Sequence, residues 1–333
     1  MKKSAPTFAK IAGVGSYAPS KVLTNADLEK IVDTNDEWIV SRTGIRERHI
    51  AAGNEYTSDM ATAAARKALA MAQVDPANVD AIYLGTSTAD FTFPATACLV
   101  QENLGASRAY GYDLSAACTG FLMALDSACA AVESGRVRTA LAIGAEKLST
   151  ITDWSDRNTC VLFGDGAGAA VIRPSDRSGI LSSVLGVDGA KGHTLCIPGG
   201  GSRFPACERS VAEHAHFVHM QGRETFKIAV QTLSRASLQA VEEAGLTLDQ
   251  VDVLIPHQAN LRIIEAVADR LGGKPVMDRV FLNLDRYGNT SAASIPIALA
   301  EAVEKGIVTP GKKVLMVAFG GGLSWGATVI EWR

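Results

Sequence analysis

The sequence predicts an α/β protein made of two duplicated halves, and three observations lead to this fold class. Short strands that are apolar throughout alternate with helical patterns, which is typical of mainly parallel sheets covered by helices. The order of these elements in the first part of the chain recurs in the second part. The composition, with 47% hydrophobic and 20% charged residues among 333, is that of a globular protein long enough for one large or two medium domains with their own cores.

The first repeated unit is a helix followed by a short turn and a buried strand. An alanine-rich helical pattern that begins at Asp59 precedes the apolar segment 79–84, and a similar pattern over 222–244 precedes the segment 251–256. Helical spacing of apolar residues distinguishes the first part of each unit from the short continuous apolar run that ends it. We therefore expect a buried strand at an equivalent place in each half.

The second repeated unit is an apolar helix that opens on small residues and leads into a strand. The run SAAC at 115–118 opens one such helix, and the run SAAS at 291–294 opens the other. The strands that follow cover 140–144 and 314–318. These repeats predict an N-terminal half of residues 1–180 and a C-terminal half of residues 181–333.

The net charge and the spacing of apolar residues and cysteines argue against several classes of protein. A net charge of −3 gives no electrostatic reason to expect nucleic acid or a membrane surface as a partner. The first residues lack the apolar run of a signal peptide, and no stretch approaches the roughly 20 apolar residues of a membrane span. The six cysteines include no CxxC pair. We therefore expect a cytoplasmic protein with free thiols.

Three polar residues follow predicted strands and together suggest a catalytic pocket. In open α/β sheets, ligands bind at the carboxyl ends of strands, and two related halves can present such ends to one pocket. A thiol, an imidazole and an amide would supply a nucleophile and hydrogen-bonding groups there. The residues are Cys118, His257 and Asn289, after the predicted strands 109–114, 251–256 and 280–284 respectively.

Cys118 is the strongest candidate for a nucleophile among the six cysteines. It lies where a predicted strand gives way to a helix, and the backbone N–H groups at a helix start favour the thiolate. Gly120 and the flanking alanines leave room for a substrate beside the sulfur. The other five cysteines are expected to be small buried hydrophobic residues.

Glycine runs and a histidine cluster resemble ligand sites but lack residues that such sites need. The runs at 13–15 and 164–168 have neither a GxGxxG turn in a βαβ unit nor a Walker lysine, so we expect tight packing. The glycines at 320–322 either form a plain turn or bring an N–H group close to an oxyanion. Two of the histidines within 214–219 would share a strand face, but no ligand set is complete. We expect no metal.

Short motifs in both halves of the chain form a recognisable set. They are DEWI at 36–39 with RTGI at 42–45, FPA at 93–95, AACTGF at 116–121, GDGAG at 164–168, HQAN at 257–260, GNTS at 288–291, and GGG at 320–322 before WG at 325–326. On these motifs, and over essentially the whole chain, the sequence resembles the β-ketoacyl-acyl-carrier-protein synthase III family.

The resemblance implies the thiolase fold, with a layered αβαβα core, and a catalytic triad of Cys118, His257 and Asn289. Cys118 would take a short acyl group from an acyl-CoA such as acetyl-CoA, after which malonyl-acyl carrier protein enters the same pocket. His257 and Asn289 would stabilise the enolate formed as carbon dioxide departs. The N–H groups of Cys118 and Gly321 would form the oxyanion hole. This reaction initiates fatty-acid synthesis, and the family requires no cofactor.

The resemblance also implies residues that bind the substrates and a second subunit. A homodimer is expected, in which Phe93 reaches the acyl pocket of the partner subunit. Lys227 and Arg262 match basic residues that meet the acidic carrier protein. The residues that match the family's CoA-binding positions are Trp38, Arg42, Arg157, Gly222, Phe226 and Asn260.

The same motifs argue against some related functions and leave others open. A biosynthetic thiolase would carry a second catalytic cysteine near 318–322, and that segment has none. An elongating synthase would carry histidine in place of Asn289. A secondary-metabolite condensing enzyme with another primer keeps all three catalytic residues, and so stays open. A non-catalytic homologue that only binds a carrier protein would not need them.

Overall fold

The computed structural model of the chain describes residues 8–333, in which strands and helices alternate along most of the length. The strands are β1 (Phe8–Tyr17), β2 (Lys21–Thr24), β3 (Glu47–Ile50), β4 (Ala81–Gly85), β5 (Tyr110–Leu114), β6 (Ala140–Glu146), β7 (Gly166–Ser175), β8 (Ile180–Val187), β9 (Leu195–Cys196), β10 (His219–Met220), β11 (Val253–Pro256), β12 (Lys313–Gly320) and β13 (Ser324–Glu331).

The helices range from single turns to a long helix in the second half. They are α1 (Asn25–Leu28), α2 (Asp36–Thr43), α3 (Thr57–Met71), α4 (Thr96–Leu104), α5 (Gly120–Glu133), α6 (Glu208–Ala212), α7 (Gly222–Glu243), α8 (Leu261–Leu271), α9 (Lys274–Met277), α10 (Leu284–Tyr287) and α11 (Ser294–Glu304). Across the described range, none of them has the length and apolar character to cross a bilayer.

The two main sheets have the same strand order, which confirms the predicted duplication. The first runs β1-β7-β6-β4-β5, and the second runs β8-β13-β12-β11 with Val280 bridged to the far side of β11. In both sheets the first three strands are antiparallel and the later pairs are parallel. The expectation of mainly parallel sheets is therefore wrong, since each sheet is mixed. The proposed boundary at residue 180 falls where β7 gives way to β8.

Helices and sheets form five layers. The central layer consists of α5 and α11, whose apolar residues pack between the inner faces of both sheets. Helices α3 and α4 cover the outer face of the first sheet, and α7 and α8 cover that of the second. Alanine is frequent in the central layer, and small side chains allow helices and sheets to approach closely. In this architecture, strand ends from both halves lie next to each other at the interface between the halves.

Glycines in the first half allow strands to pack closely, as their sequence context predicts. A Cβ atom on Gly13 would lie 2.5 Å from the Ala68 carbonyl oxygen of α3. A Cβ atom on Gly168 would lie 2.6 Å from the Cβ atom of Pro296 in α11. Such contacts are too short for any larger residue. The packing interpretation of these two glycine runs is confirmed.

Two matching turns precede the central helices, and their register differs from the one predicted. A short 3₁₀ turn at Ala117–Thr119 leads into α5, and another at Ser291–Ala293 leads into α11. Ala117 and Ser291 both have left-handed backbones, with φ of 45° and 48°. The structure therefore aligns Ala117 with Ser291. The alignment of the SAAC run with the SAAS run pairs Ser115 with Ser291, so the predicted register is wrong by two residues.

Candidate active site

A cavity of about 980 Å³ opens where strand ends of both halves meet. Cys118, His257, Asn289 and Gly321 all line it, although they come from four separate segments of the chain. This position agrees with the rule that α/β sheets bind ligands at the carboxyl ends of their strands. The structure therefore brings the predicted catalytic residues together.

Cys118 occupies the turn between β5 and α5 rather than the helix itself. Gly320, the last residue of β12, lies against it, because a Cβ atom there would be 2.7 Å from the Cys118 nitrogen. The Ser291 hydroxyl donates to the Cys118 sulfur over 3.4 Å. Burial raises the pKa of Cys118 to about 11 and outweighs the hydrogen bond from Ser291, which lowers it. The expectation that the helix start favours a thiolate is therefore not met in the free enzyme.

His257 is held at the end of β11 by a buried serine. Its Nδ1 atom lies 2.6 Å from the Ser294 hydroxyl oxygen, which also accepts a long hydrogen bond of 3.4 Å from the Gln258 N–H. The Gln258 N–H is a donor to that oxygen, and the serine hydrogen has Nδ1 as an acceptor, so we expect the ring proton to be on Nε2. Desolvation lowers the pKa of His257 to about 4, so the ring is neutral at pH 7. Nε2 is thus available to the cavity as a donor.

Replacing Ser294 with alanine is expected to slow a reaction that uses the His257 N–H by about 10-fold to 100-fold. The reason is that Nδ1 loses the group that fixes its tautomer. A ¹⁵N NMR spectrum of the imidazole would show the change in tautomer, and steady-state kinetics would show the change in rate. Ser237→Ala is the matched control, because Ser237 is also buried and has no hydrogen-bond partner among the described residues. An unchanged tautomer in Ser294→Ala would contradict this assignment.

Asn289 is fixed through its backbone and through one side of its amide. Its N–H donates to the Leu162 carbonyl at 2.8 Å, and its carbonyl accepts from the Gly164 N–H at 3.0 Å. The side-chain oxygen accepts from the Ser291 N–H at 2.9 Å. That contact orients the side-chain NH₂ group away from Ser291 and leaves it free to donate, in a residue that lines the cavity.

Gly321, the second predicted oxyanion-hole residue, lies in the wall of the cavity. It follows β12 directly and lines the cavity. A Cβ atom on Gly321 would be 2.9 Å from the Leu195 carbonyl oxygen, so the position has no space for a side chain. The Gly321 carbonyl accepts a hydrogen bond of 3.2 Å from the Ser324 hydroxyl. The backbone beside the Cys118 turn is therefore held in place, and the proposed N–H donors stay a prediction.

An aromatic ring with two guanidinium groups lies at the cavity mouth. The Arg42 and Arg157 guanidinium carbons are 4.9 Å and 4.8 Å from the centre of the Trp38 ring. Trp38 and Arg42 line the cavity, whereas Arg157 is outside its lining and donates to the Asp33 carbonyl at 2.7 Å. A planar ligand that stacks on the face covered by Arg157 would have to displace that guanidinium group.

The other predicted substrate-binding residues differ in how much of their surface is free. Gly222, Phe226 and Arg262 line the outer part of the cavity. Asn260 also lines it, but its side-chain NH₂ group donates to the Arg42 carbonyl at 3.0 Å and its oxygen accepts from the Arg262 N–H at 2.9 Å. Asn260 thus joins α2 to the start of α8 before any ligand binds.

Lys227 and Phe93 lie outside the cavity lining. Lys227 is exposed on α7 and lines a neighbouring depression together with Arg223. Phe93 is 84% exposed in a loop before α4. The single chain does not place either residue at the reacting groups, which is compatible with roles toward partners.

The residues that sequence reasoning missed are Ser291 and Ser294, which contact Cys118 and His257, and the buried Glu146. The two serines belong to a run of small residues that predicts only a helix start. Glu146 offered a clearer signal, because an acid at the end of an otherwise apolar strand lies where α/β sheets bind ligands.

The histidine cluster and the cysteines differ from the predicted arrangement. Residues 213–216 form a turn, so His214 and His216 do not share a strand face. His214 instead pairs with Asp153, with its Nδ1 atom 2.6 Å from the carboxylate. Within residues 8–333, no group of three or more His, Cys, Asp or Glu side chains is arranged to hold a metal. Cys98 and Cys207 are exposed, contrary to the expectation of burial.

The arrangement can perform acyl transfer through a thioester. A thiol in a cavity with a neutral imidazole donor and an amide donor provides a nucleophile and two groups that stabilise negative charge on an oxygen. The apolar lining, which includes Leu195 and Phe319, suits an acyl or pantetheine-like chain. The guanidinium groups at the mouth suit an anionic end of the same ligand.

Comparisons with known proteins give a consistent result. Residues 112–189 match the family model described as 3-oxoacyl-[acyl-carrier-protein (ACP)] synthase III, and residues 241–332 match the model of its C-terminal part. The β-ketoacyl-[acyl-carrier-protein] synthase III of Caldanaerobacter subterraneus is 53% identical over 325 residues, covering 97% of this chain and 98% of that protein.

Solved structures show the same similarity in three dimensions. The crystal structure of 3-oxoacyl-[acyl-carrier-protein] synthase III from Aquifex aeolicus matches with a TM-score of 0.90 and 48% identity, covering 97% of this chain and 100% of that one. The priming β-ketosynthase from the R1128 polyketide biosynthetic pathway matches with a TM-score of 0.93 and 39% identity, covering 100% and 98% respectively.

Proposed function

The chain has the thiolase fold and belongs to the β-ketoacyl-[acyl-carrier-protein] synthase III family of condensing acyltransferases, and we propose its substrates and the roles of its residues from that premise. The acyl donor is a short acyl-CoA such as acetyl-CoA, and the acceptor is malonyl-acyl carrier protein. The products are 3-ketoacyl-acyl carrier protein, carbon dioxide and CoA. The single observation that carries the proposal is the convergence of Cys118, His257 and Asn289 on one cavity.

The proposed mechanism has two steps that use the same cavity. Cys118 attacks the acyl-CoA thioester and retains the acyl group, while the N–H groups of Cys118 and Gly321 hold the oxyanion. In the second step, the His257 Nε2–H and the Asn289 amide donate to the malonyl thioester oxygen. They stabilise the enolate formed by decarboxylation, and its carbon attacks the acyl group. No cofactor takes part in this proposal.

Positive charge around the cavity mouth supports the two proposed thioester partners. Trp38 and Arg157 would hold the adenine of CoA, and Arg42 would bind its phosphates. Gly222, Phe226 and Asn260 would line the pantetheine path. The exposed cations Lys227 and Arg262 would bind the acidic carrier protein. The cytoplasmic location stays a prediction.

Exposed aromatic residues near the edge of the first sheet support the proposed homodimer. The edge strand β5 exposes Tyr110 and Tyr112, and Phe91 and Phe93 are exposed in the loop before α4. An exposed edge strand with aromatic neighbours is a natural surface for association with a second copy. Phe93 would then enter the acyl pocket of the partner subunit.

Phe93→Asp is expected to weaken the dimer by at least about 2 kcal/mol, or about 30-fold in dissociation constant, because it puts a charge in an apolar contact. Sedimentation velocity over a dilution series measures the shift. Val211→Asp is the control, since Val211 is an exposed apolar residue on α6. Equal dissociation constants for wild type and Phe93→Asp would contradict the proposed interface.

A second candidate function is priming in a secondary-metabolite pathway. It is favoured by the match over the full chain to the polyketide priming β-ketosynthase. The two functions share the fold and the chemistry, and they differ in the acyl group and the carrier protein. The choice between them therefore depends on the substrate.

The test is a panel of acyl-CoAs, each incubated with the enzyme and then with malonyl-acyl carrier protein, followed by intact mass spectrometry. We expect the enzyme to gain the mass of an acetyl or other short acyl group. Malonyl-acyl carrier protein should then discharge it as a 3-ketoacyl product. Uptake of only long or aromatic groups would favour the secondary-metabolite function, and no uptake would overturn the proposed priming activity.

A further inference from the structure

Glu146 is a completely buried carboxyl group for which the two-step mechanism above has no use. It ends β6 and accepts hydrogen bonds from the Thr88 hydroxyl at 2.6 Å, from the Ser87 N–H at 3.0 Å and from the Thr86 hydroxyl at 3.3 Å. Acidic side chains are rarely buried so fully without a cationic partner. Its partners in residues 8–333 are all neutral donors. The position therefore calls for an explanation.

Ser291 connects this carboxyl group to the nucleophile. Its hydroxyl is 3.4 Å from the Cys118 sulfur, and the same hydroxyl lowers the pKa of the nearby Glu146 carboxyl. The turn that carries Ser291 packs against β6, because the missing side chain of Gly144 gives space to the Ala292 carbonyl. The Ser291 hydroxyl is therefore a neighbour of both the sulfur and the buried carboxyl group.

We propose that Ser291 and Glu146 form a proton relay that accepts the thiol proton of Cys118 during acylation. The inference rests on the proposed function, since it concerns the first step at the same site. The Ser291 hydroxyl hydrogen first turns from the sulfur toward the Glu146 carboxylate. The S–H proton then moves to the Ser291 oxygen as the serine proton moves to that carboxylate. The sulfur bonds to the acyl carbonyl carbon, the bond from that carbon to the CoA sulfur breaks, and the CoA thiolate takes a proton from solvent.

The relay returns to its starting state in the second step. The enolate carbon attacks the acyl carbonyl carbon, and the bond from that carbon to the Cys118 sulfur breaks. The departing thiolate then recovers its proton from Glu146 through Ser291. The relay proton is therefore neither gained nor lost over a complete cycle, and no further reactant is needed.

The acid–base properties of the site favour this acceptor over His257. A thiol whose pKa is about 11 needs a base at neutral pH, and an imidazole whose pKa is about 4 is a weak one. Its Nδ1 atom is also occupied by Ser294. Burial raises the pKa of Glu146 to about 7, which suits a group that both accepts and returns a proton near neutrality.

The other charged groups near Glu146 are engaged elsewhere. The Lys147 ammonium donates to the carbonyls of Ala52 and Glu55, away from the site. On the neighbouring segments, Asp90 accepts from the Ser58 hydroxyl and Asp165 accepts from the Ser149 hydroxyl. Cys118 is therefore the titratable group that Glu146 faces across Ser291.

The test compares wild type with Glu146→Gln and Ser291→Ala between pH 6 and 9. Quenched-flow mixing with acetyl-CoA, followed by intact mass spectrometry, gives the rate of acyl-Cys118 formation. The wild-type rate should rise through pH about 7 and then level off, as Glu146 ionises. Both variants should lose this inflection and be slower at pH 8 by a factor on the order of 10². Ser149→Ala is the matched control, because it removes a serine hydroxyl that donates to a different buried acid, Asp165.

Glu146→Gln separates a relay from a purely electrostatic effect. The charge of Glu146 raises the pKa of Cys118, so an acid that acts through charge alone would make Glu146→Gln as fast as wild type or faster. That result, or an inflection retained in Ser291→Ala, would overturn the relay. Thermal unfolding establishes that each variant is folded, and Ser291→Ala carries the test if the other variant is unstable.

Alkylation by iodoacetamide distinguishes failure of the relay from failure of the proposed function. The reagent needs no CoA site, and peptide mass spectrometry separates its reaction at Cys118 from that at the exposed Cys98 and Cys207. The same inflection near pH 7 in wild type, absent from both variants, would support the relay even if acetyl-CoA gave no acyl enzyme. Acylation by acetyl-CoA with identical pH profiles in all proteins would instead overturn the relay and leave the function intact.

Discussion

Cys118→Ala is expected to abolish covalent acylation and to lower the condensation rate by at least about 10⁴-fold, a loss typical of removing a catalytic nucleophile. Without the thiol, no covalent intermediate divides the reaction into two steps. The residue lies in a turn that is fixed by Gly320 on one side and by Ser291 on the other. Alanine keeps the backbone and removes only the sulfur, so the fold should persist.

Intact mass spectrometry after incubation with an acyl-CoA measures this effect directly. Cys196→Ala is the matched control, because Cys196 is the second thiol that lines the same cavity. It should be acylated at the wild-type rate and condense normally. Acylation that persists in Cys118→Ala and disappears in Cys196→Ala would show that the nucleophile has been assigned to the wrong thiol.

His257→Ala is expected to lower the rate of decarboxylative condensation by about 10² to 10³, the usual cost of removing one donor to an oxyanion. Acylation of Cys118 should continue, since the imidazole has no role in the first step of the proposed mechanism. An acyl enzyme that forms but is not discharged by malonyl-acyl carrier protein is therefore the expected signature. Asn289→Ala should give the same pattern, because both side chains donate to one oxygen.

The pH dependence provides a second check on His257. Its pKa of about 4 means that the ring stays neutral from pH 6 to 9 and protonates only as the pH falls through about 4. His257 should therefore cause no inflection in the condensation rate over that range. His219→Ala is a control, because His219 is exposed and outside the main cavity lining. Equal losses of acylation and condensation in His257→Ala would contradict the division of roles.

The larger elements could be predicted because their signals are local. Apolar runs and helical spacing located β4, β11 and α7 to within two residues of the observed bounds. The predicted strand over 280–284 is wrong beyond Val280. The buried side chain of Gln258 bonds to the Asn283 N–H and the Phe281 carbonyl there, in place of a neighbouring strand. The pattern of apolar residues in the sequence does not show that a side chain, rather than a strand, bonds to the backbone of this segment.

Sequence reasoning found three residues that line the cavity, whose catalytic roles stay predictions, and it missed the serines that contact two of them. Cys118, His257 and Asn289 stand out because reactive or polar types follow apolar strands. Ser294 contacts His257 across 37 positions of sequence, and that contact depends on how α11 is placed against β11. Small residues at a helix start are common, so tertiary structure alone distinguishes this serine from the others.

The central layer has a consequence for how the protein unfolds. Each half has an apolar cluster under its outer helices, but α5 and α11 pack in one further cluster with the inner faces of both sheets, so the halves share that part of the core. Opening one half would expose the buried face of the other, so the free energy of unfolding belongs to the whole chain rather than to either repeat. Protection of backbone amides from hydrogen exchange should therefore be lost together in the two halves.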